Sequence, residues 1–174
     1  MGNREKLLRA ARECLLSLGY ERTTVRHLVA ASGANQASIS YHFGSQEQLL
    51  STVLRDLNRE WADVLFSALG PDPAEGQLSD PLDHEELWKR VIDSIQANPS
   101  LWFVNFESLS SARMDDDIRS TILEGQRLAR RGLAAAFEGA PSASPEDDSA
   151  DLVGSYYYSL LVGIAAQAII DPAG

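Results

Sequence analysis

The chain has 174 residues, of which 44% are hydrophobic and one, Cys14, is a cysteine. The length and composition suit one helical core with a small added head, and a single cysteine excludes an intrachain disulfide. The N-terminal residues show no apolar signal segment, so we expect a cytoplasmic protein. The net charge of −10 argues at first sight against a nucleic-acid partner.

The charge is distributed unevenly along the chain. Residues 1–59 hold 8 Lys and Arg against 5 Asp and Glu, a balance of +3, whereas residues 60–174 hold 7 against 20, a balance of −13. A basic head on an acidic body is typical of a DNA-binding protein with a separate regulatory domain. We therefore expect modest, salt-sensitive non-specific binding to DNA.

The first part of the chain predicts three short helices. Residues 4–18 carry apolar side chains at the helical period, and a glycine ends them. Residues 24–32 open with a threonine cap and predict a second helix, which Gly33 ends. Asn35 is a good cap for a third helix over 36–42. Two helices that meet at a tight glycine turn predict a helix-turn-helix.

The rest of the chain predicts five more helices. A capping box at 45–48 opens a long fourth helix with apolar positions at Leu50, Leu54, Leu57, Trp61, Val64 and Ala68. Residues 69–86, rich in Pro, Gly and acids, predict a loop. The fifth helix carries Leu87, Val91 and Ile95. The sixth begins at Asn98-Pro99, the seventh at the acids Asp115, Asp116 and Asp117, and the eighth at Ser144-Pro145. No segment alternates like a strand, so we expect an all-α protein.

One run of the sequence carries a family resemblance. Thr23-Thr24-Val25-Arg26-His27-Leu28, followed by ASGANQASISYHFGSQEQLL over residues 31–50, resembles the DNA-binding segment of the TetR family. The resemblance is strong over residues 4–60. It implies a helix-turn-helix DNA-binding domain over 1–46, and a helical ligand-binding and dimerisation domain over 47–174 joined through the long fourth helix.

The resemblance also implies which side chains meet DNA. Those facing the major groove are Gln36, Ala37, Ser38 and Tyr41, and Arg26 from the preceding helix reaches a base or a phosphate. A glutamine can read adenine and an arginine can read guanine, each through two hydrogen bonds. The rest of the expected contact set, chiefly for phosphates, is Asn35, Ser40, His42, Ser45 and Gln46. The family commonly has Tyr at position 40 and Lys at position 46, so this chain lacks one aromatic contact and one charge.

Other interpretations of the head are weaker. A surface helix without a nucleic-acid partner would not require caps, turn and polar face to coincide. His27 and His42 lack the spacing of a metal chelate, so we expect no metal and no cofactor. Cys14 lies on an apolar stripe and is interpreted as an inert core residue rather than a redox sensor. No catalytic constellation is present, so we expect no enzymatic activity.

The last predicted helix has no charged residue from 152 to 170. A membrane span is an alternative, but the tyrosines, the serines and the flanking aspartates argue against it. One apolar face, expected to meet the chain's own domain, contains Tyr157, Leu160, Leu161, Ile164 and Ala168. The opposite face, expected to meet a second copy as a dimer interface, contains Ser155, Ser159, Val162, Gly163, Ala166 and Ile170.

A ligand pocket in the body is the last expectation. Polar groups beside apolar stripes suit an apolar pocket, with candidate lining residues Trp61, Trp102, Asn105, Phe106, Gln126 and Tyr157. Ordinary packing is the alternative for each of them. The function expected is a homodimeric repressor released from a palindromic operator by a small apolar or amphipathic ligand. The alternatives are a regulator governed by protein partners, and an enzyme or carrier built on the helical body.

Overall fold

The computed structural model describes residues 2–70, 84–111, 116–138 and 148–171. These residues contain eight helices and no strand, which confirms the all-α prediction. The helices are α1 (Asn3–Leu18), α2 (Val25–Ser32), α3 (Gln36–Phe43), α4 (Gln46–Leu69), α5 (His84–Ala97), α6 (Pro99–Ser111), α7 (Asp116–Glu138) and α8 (Asp148–Ile170).

The chain divides into two compact units. The first unit consists of Met1–Glu60 and Phe103–Ile122, and the second consists of Trp61–Trp102 and Leu123–Gly174. Helices α4, α6 and α7 therefore each contribute residues to both units. The head predicted over residues 1–46 lies wholly in the first unit.

Most helix ends follow from local signals. Thr24 accepts a hydrogen bond from the His27 backbone N–H at 3.4 Å, and Ser45 accepts one from the Gln48 N–H at 3.2 Å, which confirms both predicted caps. The loop prediction was wrong at its end, because α5 already begins at His84. Two glutamates in its first turn complement the helix dipole there. The predicted start of the eighth helix at Ser144-Pro145 lies outside the described residues. Asp115, one of the acids predicted at the start of the seventh helix, also lies outside them.

In the first unit, α1 packs on α2 and α3. Leu7, Leu15 and Leu28 are fully buried, and Cys14 is buried as predicted, with burial raising the pKa of its thiol. The Arg12 guanidinium donates two hydrogen bonds to the Glu60 carboxylate, at 2.6 and 2.9 Å. The pKa of Glu60 is lowered by this bond, so the pair fastens α1 to the middle of α4.

The second unit is built largely from the end of α4 and from α5, α7 and α8. Along α4 the buried side chains continue from Trp61 to Leu65 and Leu69 at four-residue steps, whereas Val64 and Ala68, predicted inside, are half-exposed. Four residues advance a helix by about 40° and three by about 300°, so both lines lie near Trp61 on the helix surface. The spacing of apolar residues alone therefore does not decide which of the two lines is buried.

The inward face of α8 was predicted only in part. Tyr157 and Leu161 are buried, but Leu160 is 40% exposed, which corrects its assignment to the core. The buried line instead joins Gly154, Tyr157, Leu161 and Ala165. A Cβ at Gly154 would overlap the backbone carbonyl of Arg130, so α8 approaches α7 closely at this glycine. That close approach sets which face of α8 turns inward.

This approach can be tested with two glycines in neighbouring helices. Gly154→Ala is expected to destabilise the protein by about 1 to 3 kcal/mol, because the backbone of α7 must move. Gly125→Ala on α7, where a Cβ meets nothing within 4 Å, is the control and should stabilise by up to about 1 kcal/mol through helix propensity. The measurement is the free energy of unfolding in urea. Equal effects of the two changes would contradict the packing described.

Candidate nucleic-acid interface

The turn between α2 and α3 fixes the direction of α3. Gly33 ends α2 in the left-handed region at φ 66°, which favours glycine, and Ala34 behind it is buried. The Asn35 side-chain oxygen then accepts hydrogen bonds from the Ser38 N–H and the Ser38 hydroxyl, each at 2.9 Å. Three residues thus separate the two helices, and the free N–H groups at the start of α3 have a local partner.

One face of α3 is exposed and polar. Gln36, Ala37 and Ser40 are exposed, and Tyr41 is 83% exposed. These positions lie one and four residues apart, so they share one side of the helix. Ser38 was predicted to face the groove, but it is buried at 8% exposure, because the cap holds its hydroxyl. The exposed face is therefore narrower than the sequence suggested.

Arg26, His42 and Gln46 were also expected to contact DNA. Arg26 on α2 is exposed, and the His42 ring meets the Tyr41 ring edge-on, with 4.8 Å between centroids. The Gln46 amide, expected to contact DNA, donates a hydrogen bond to the backbone carbonyl of buried Thr23 at 2.7 Å. In this position Gln46 ties the start of α4 to the residue that precedes the cap of α2.

The start of α4 already has an anion of its own. The pKa of Glu47 is lowered, first by a hydrogen bond from its own backbone N–H and second by one from the Ser45 hydroxyl. Ser45 was expected to mark a site where open N–H groups receive a phosphate. The nearby carboxylate reduces the attraction of this helix end for a second negative charge.

Two residues at the start of α1 were missed by the sequence analysis. The Asn3 amide donates a 3.4 Å hydrogen bond to the Ser38 hydroxyl on α3. The Arg4 guanidinium lies 5.5 Å from the centroid of the Phe43 ring, and the Arg4 side chain is exposed. They lie beside α3 only through the packing of α1, which no local pattern in the sequence reports.

The histidines of the head have local roles. The His27 ring nitrogen Nδ1 lies 3.1 Å from the Arg22 carbonyl and 3.4 Å from the Thr24 N–H, where it completes the start of α2. Over the described parts of the chain, no three His, Cys, Asp or Glu side chains cluster as metal ligands. His27 thus contributes to helix capping.

Four of the six predicted pocket residues lie in the second unit. Trp61 and Trp102 are buried against each other, edge to face with 5.3 Å between ring centroids. Tyr157 stacks on Phe137 at 4.4 Å and donates a 2.6 Å hydrogen bond to Glu138, which raises the pKa of Tyr157 to about 12. Gln126 hydrogen-bonds the side chain of Tyr158. These four residues are thus partners in packing.

The other two predicted pocket residues lie in the first unit. The Asn105 amide donates a 2.9 Å hydrogen bond to the Asn58 side-chain oxygen, and Phe106 is half-buried. A groove with a volume of about 640 Å³ occurs elsewhere, between α5 and the end of α8 in the second unit. None of the six predicted residues lines this groove, whose walls include Ile92, Ile95, Ile164 and Ala168.

Helix α8 leaves an apolar surface uncovered. Its stretch Leu152–Ile170 is long and apolar enough to cross a membrane, with a mean hydropathy of 1.4, yet only 22% of it is buried within the chain. The six residues predicted to meet a second copy all lie outside its buried line, and Ile170 is 82% exposed. Leu152, at 74% exposure, and Tyr156, at 61%, extend this surface.

The head of the chain is similar to a known family of proteins. The family described as "Bacterial regulatory proteins, tetR family" matches residues 7–53. The chain is similar to the HTH-type transcriptional repressor AcnR of Corynebacterium glutamicum, with 34% identity over 79 residues, which cover 45% of this chain and 42% of AcnR. It is also similar to AcnR of Corynebacterium efficiens, with 32% identity over 91 residues, 52% of this chain and 48% of that protein. The chain thus spans about half the length of these relatives.

Solved structures share the fold over almost the whole chain. A TetR transcription regulator from Haloarcula marismortui has a TM-score of 0.67 and 20% identity, covering 97% of this chain and 86% of its own. The multidrug binding protein EbrR, solved with proflavin, has a TM-score of 0.65 and 19% identity, covering 99% and 91%. At these identities the likeness concerns the fold.

The cap of α3 gives a prediction about stability. Asn35→Ala should destabilise the head by about 1 kcal/mol, because two donors on Ser38 lose their acceptor. Asn35→Asp keeps an oxygen in the same place and should remain within a few tenths of a kcal/mol of the parent. The free energy of unfolding of both variants, measured without DNA, checks this. Equal loss in the two variants would contradict the role of the side-chain oxygen.

Proposed function

We propose that the chain is a member of the TetR family of bacterial regulatory proteins, which its similarity to that family and to the AcnR repressors supports, and that it is a cytoplasmic repressor that binds a palindromic operator as a homodimer. We further propose that a small apolar or amphipathic molecule releases it. The observation that carries the first proposal is the exposed polar face of α3, held at a fixed angle by the capped turn before it.

The geometry of the head suits the major groove. The groove admits one helix, and residues near the N-terminal end of that helix reach base edges. Gln36, Ala37, Ser40 and Tyr41 lie on the exposed side of α3 and supply this contact. Arg26 adds a positive charge from α2. The residues that border this surface are Asn35, His42, Ser45 and Gln46. Ser38 is buried and contributes by holding the side-chain oxygen of the Asn35 cap.

The start of α1 extends this surface. Arg4 is exposed beside α3 and its guanidinium lies over Phe43, so its charge is held near the recognition helix. Guanidinium groups commonly bind phosphate oxygens and fix the register of a protein on the duplex. We assign Arg4 a phosphate contact, in addition to the residues that the sequence indicates.

A second copy of the chain is the proposed partner of α8. Outside its buried line, α8 carries the small residues Ser155, Ser159 and Gly163, of which Ser159 is exposed and the other two are half-buried, and small side chains permit close approach of another helix. Leu152, Tyr156 and Ile170 add apolar area that a dimer would remove from water. Two heads must then stand about 34 Å apart to meet successive major grooves.

The proposed release depends on that distance. A ligand bound among the body helices that favours another spacing of the heads weakens binding to both half-sites at once, and DNA weakens ligand binding by the same factor. EbrR, a multidrug binding protein whose structure was solved in complex with proflavin, supports a ligand-binding body in this fold. The alternative is a regulator governed by protein partners. Operator binding that no metabolite extract relieves would favour that alternative.

Two substitutions in the head separate base reading from phosphate binding. Gln36→Ala should cost about 1 to 3 kcal/mol on the preferred duplex and relax specificity at one position per half-site. Arg4→Ala should weaken binding to all duplexes and reduce the slope of log Kd against log salt by about 1.8 for a dimer, since each phosphate contact contributes about 0.9. Binding titrations at several salt concentrations, on duplexes selected from a random pool, measure both.

The control for these titrations lies on the same helix as Arg4. Arg9 is exposed and pairs with Glu13 at 3.9 Å, so Arg9→Ala should leave the salt slope unchanged. An equal change of the salt slope in Arg9→Ala and Arg4→Ala would show that the Arg4 effect comes from net charge alone. Absence of any duplex selected by the parent protein at low salt would refute the DNA-binding proposal.

The dimer proposal predicts a difference between two glycines that both face open space in one chain. Gly163→Leu on α8 should give a folded monomer with at least about tenfold weaker operator binding, because the second copy has no room for the side chain. Gly125→Leu on α7 is the matched control and should remain dimeric. Sedimentation velocity and circular dichroism measure assembly and folding. A dimer that persists in Gly163→Leu would contradict this interface.

A further inference from the structure

The turn after α1 is held by a residue of α6. Glu107 accepts a 2.8 Å hydrogen bond from the backbone N–H of Tyr20, the residue that follows the terminal glycine of α1. Gly19 has φ 83°, and a Cβ at this position would overlap the Glu107 carboxylate. The chain therefore needs a glycine here both for the turn and for the carboxylate to approach. Both partners belong to the first unit.

The same stretch of α6 is also fastened to α4. Asn58 on α4 donates a 3.2 Å hydrogen bond to the Ser108 hydroxyl and accepts a 2.9 Å hydrogen bond from Asn105. Ser108 is fully buried and Asn58 is 8% exposed, so the bond between them is shielded from water, whereas the bond from Asn105 is partly buried. With the Arg12–Glu60 pair between α1 and α4, polar bonds connect α1, α4 and α6 pairwise within the first unit.

Hydrogen bonds constrain such a triangle more tightly than apolar contacts do. Apolar packing is non-directional and tolerates sliding, whereas a hydrogen bond weakens steeply when its angle or distance changes. A displacement of α6 along its axis would therefore break the bond to Tyr20 or carry the turn with it. That turn leads directly into α2, the first helix of the helix-turn-helix.

Glu107 places a negative charge at the end of a helix. The carboxylate lies at the C-terminal end of α1, where the helix dipole disfavours an anion. It is also the only charged residue in the sequence of α6. A neutral acceptor in its place would make the same bond without this unfavourable dipole interaction, so the hydrogen bond itself, and not the charge, fastens the turn.

We propose that Glu107 is a positioning residue for DNA binding, which couples α6 to the α1–α2 turn and so holds the helix-turn-helix at the angle that matches the operator. The inference rests on the proposed function, because it concerns the spacing of two heads on DNA. It goes beyond that function in naming a second connection to the head, through α6, besides the continuous helix α4.

The test compares Glu107→Ala, which removes the acceptor, with Glu107→Gln, which keeps it. The control is Glu124→Ala, an exposed residue of α7. Each protein is titrated with the duplex selected by the parent and with the same duplex carrying one base pair more or fewer between the half-sites, which changes their separation by about 3.4 Å. Amide hydrogen exchange at Tyr20 and the thermal midpoint are measured on the same samples.

The expected result has three parts. Glu107→Ala should lose roughly fivefold or more of the parent's discrimination between the spacings, a coupling of the size seen between linked sites. Its Tyr20 amide should exchange faster. Glu107→Gln should keep both the discrimination and the slow exchange with an unchanged or higher thermal midpoint, and Glu124→Ala should match the parent.

Two results would overturn the inference. Uniformly weaker binding to all spacings by Glu107→Ala, together with a lower thermal midpoint, would show a merely structural role. Unchanged Tyr20 exchange in Glu107→Ala would show that the bond does not hold the turn. A parent protein that selects no duplex would instead refute the proposed function, and the exchange measurement would still test the contact itself.

Discussion

The recognition surface depends on how a helix of eight residues is held. An isolated helix of that length is unstable in water, so α3 exists only through its contacts. The Asn35 cap fixes its first turn, and Ile39, 2% exposed, anchors its inner face in the core of the head. The angle of the exposed side chains is thus a property of the packing of α1 to α3, and loosening that packing would affect the proposed reading of bases before it unfolds the chain.

Some of the basic side chains of the head bind other groups of the protein. Arg12 is paired with Glu60, and the Arg22 side chain donates to the Leu18 carbonyl. Fewer cations are then available to phosphates than the count of basic residues indicates, and Glu47 adds a local negative charge. The acidic body, with a balance of −13 after residue 59, would repel a duplex and favour the proposed encounters through the head. Specific polar contacts therefore carry more of the proposed affinity than net charge does.

Signals within four residues of each other could be predicted from the sequence. The caps at Thr24 and Ser45, and the glycine between the two helices of the head, are of this kind. The direction of single side chains could not be predicted in this way, because the burial of Ser38 depends on where the side-chain oxygen of Asn35 points. The inward face of α8 depends on the approach of Gly154 to α7, and Asn105 meets a residue 47 positions away. Contacts between helices distant in sequence carry no local pattern.

The single thiol of the chain acquires an experimental use from its position. Cys14 lies on the inner side of α1 at 6% exposure, and burial raises the pKa of its thiol. A protonated, covered thiol reacts slowly with alkylating reagents. Labelling therefore requires α1 to separate from its neighbours, so the rate of alkylation reports how often the head opens in an otherwise native molecule.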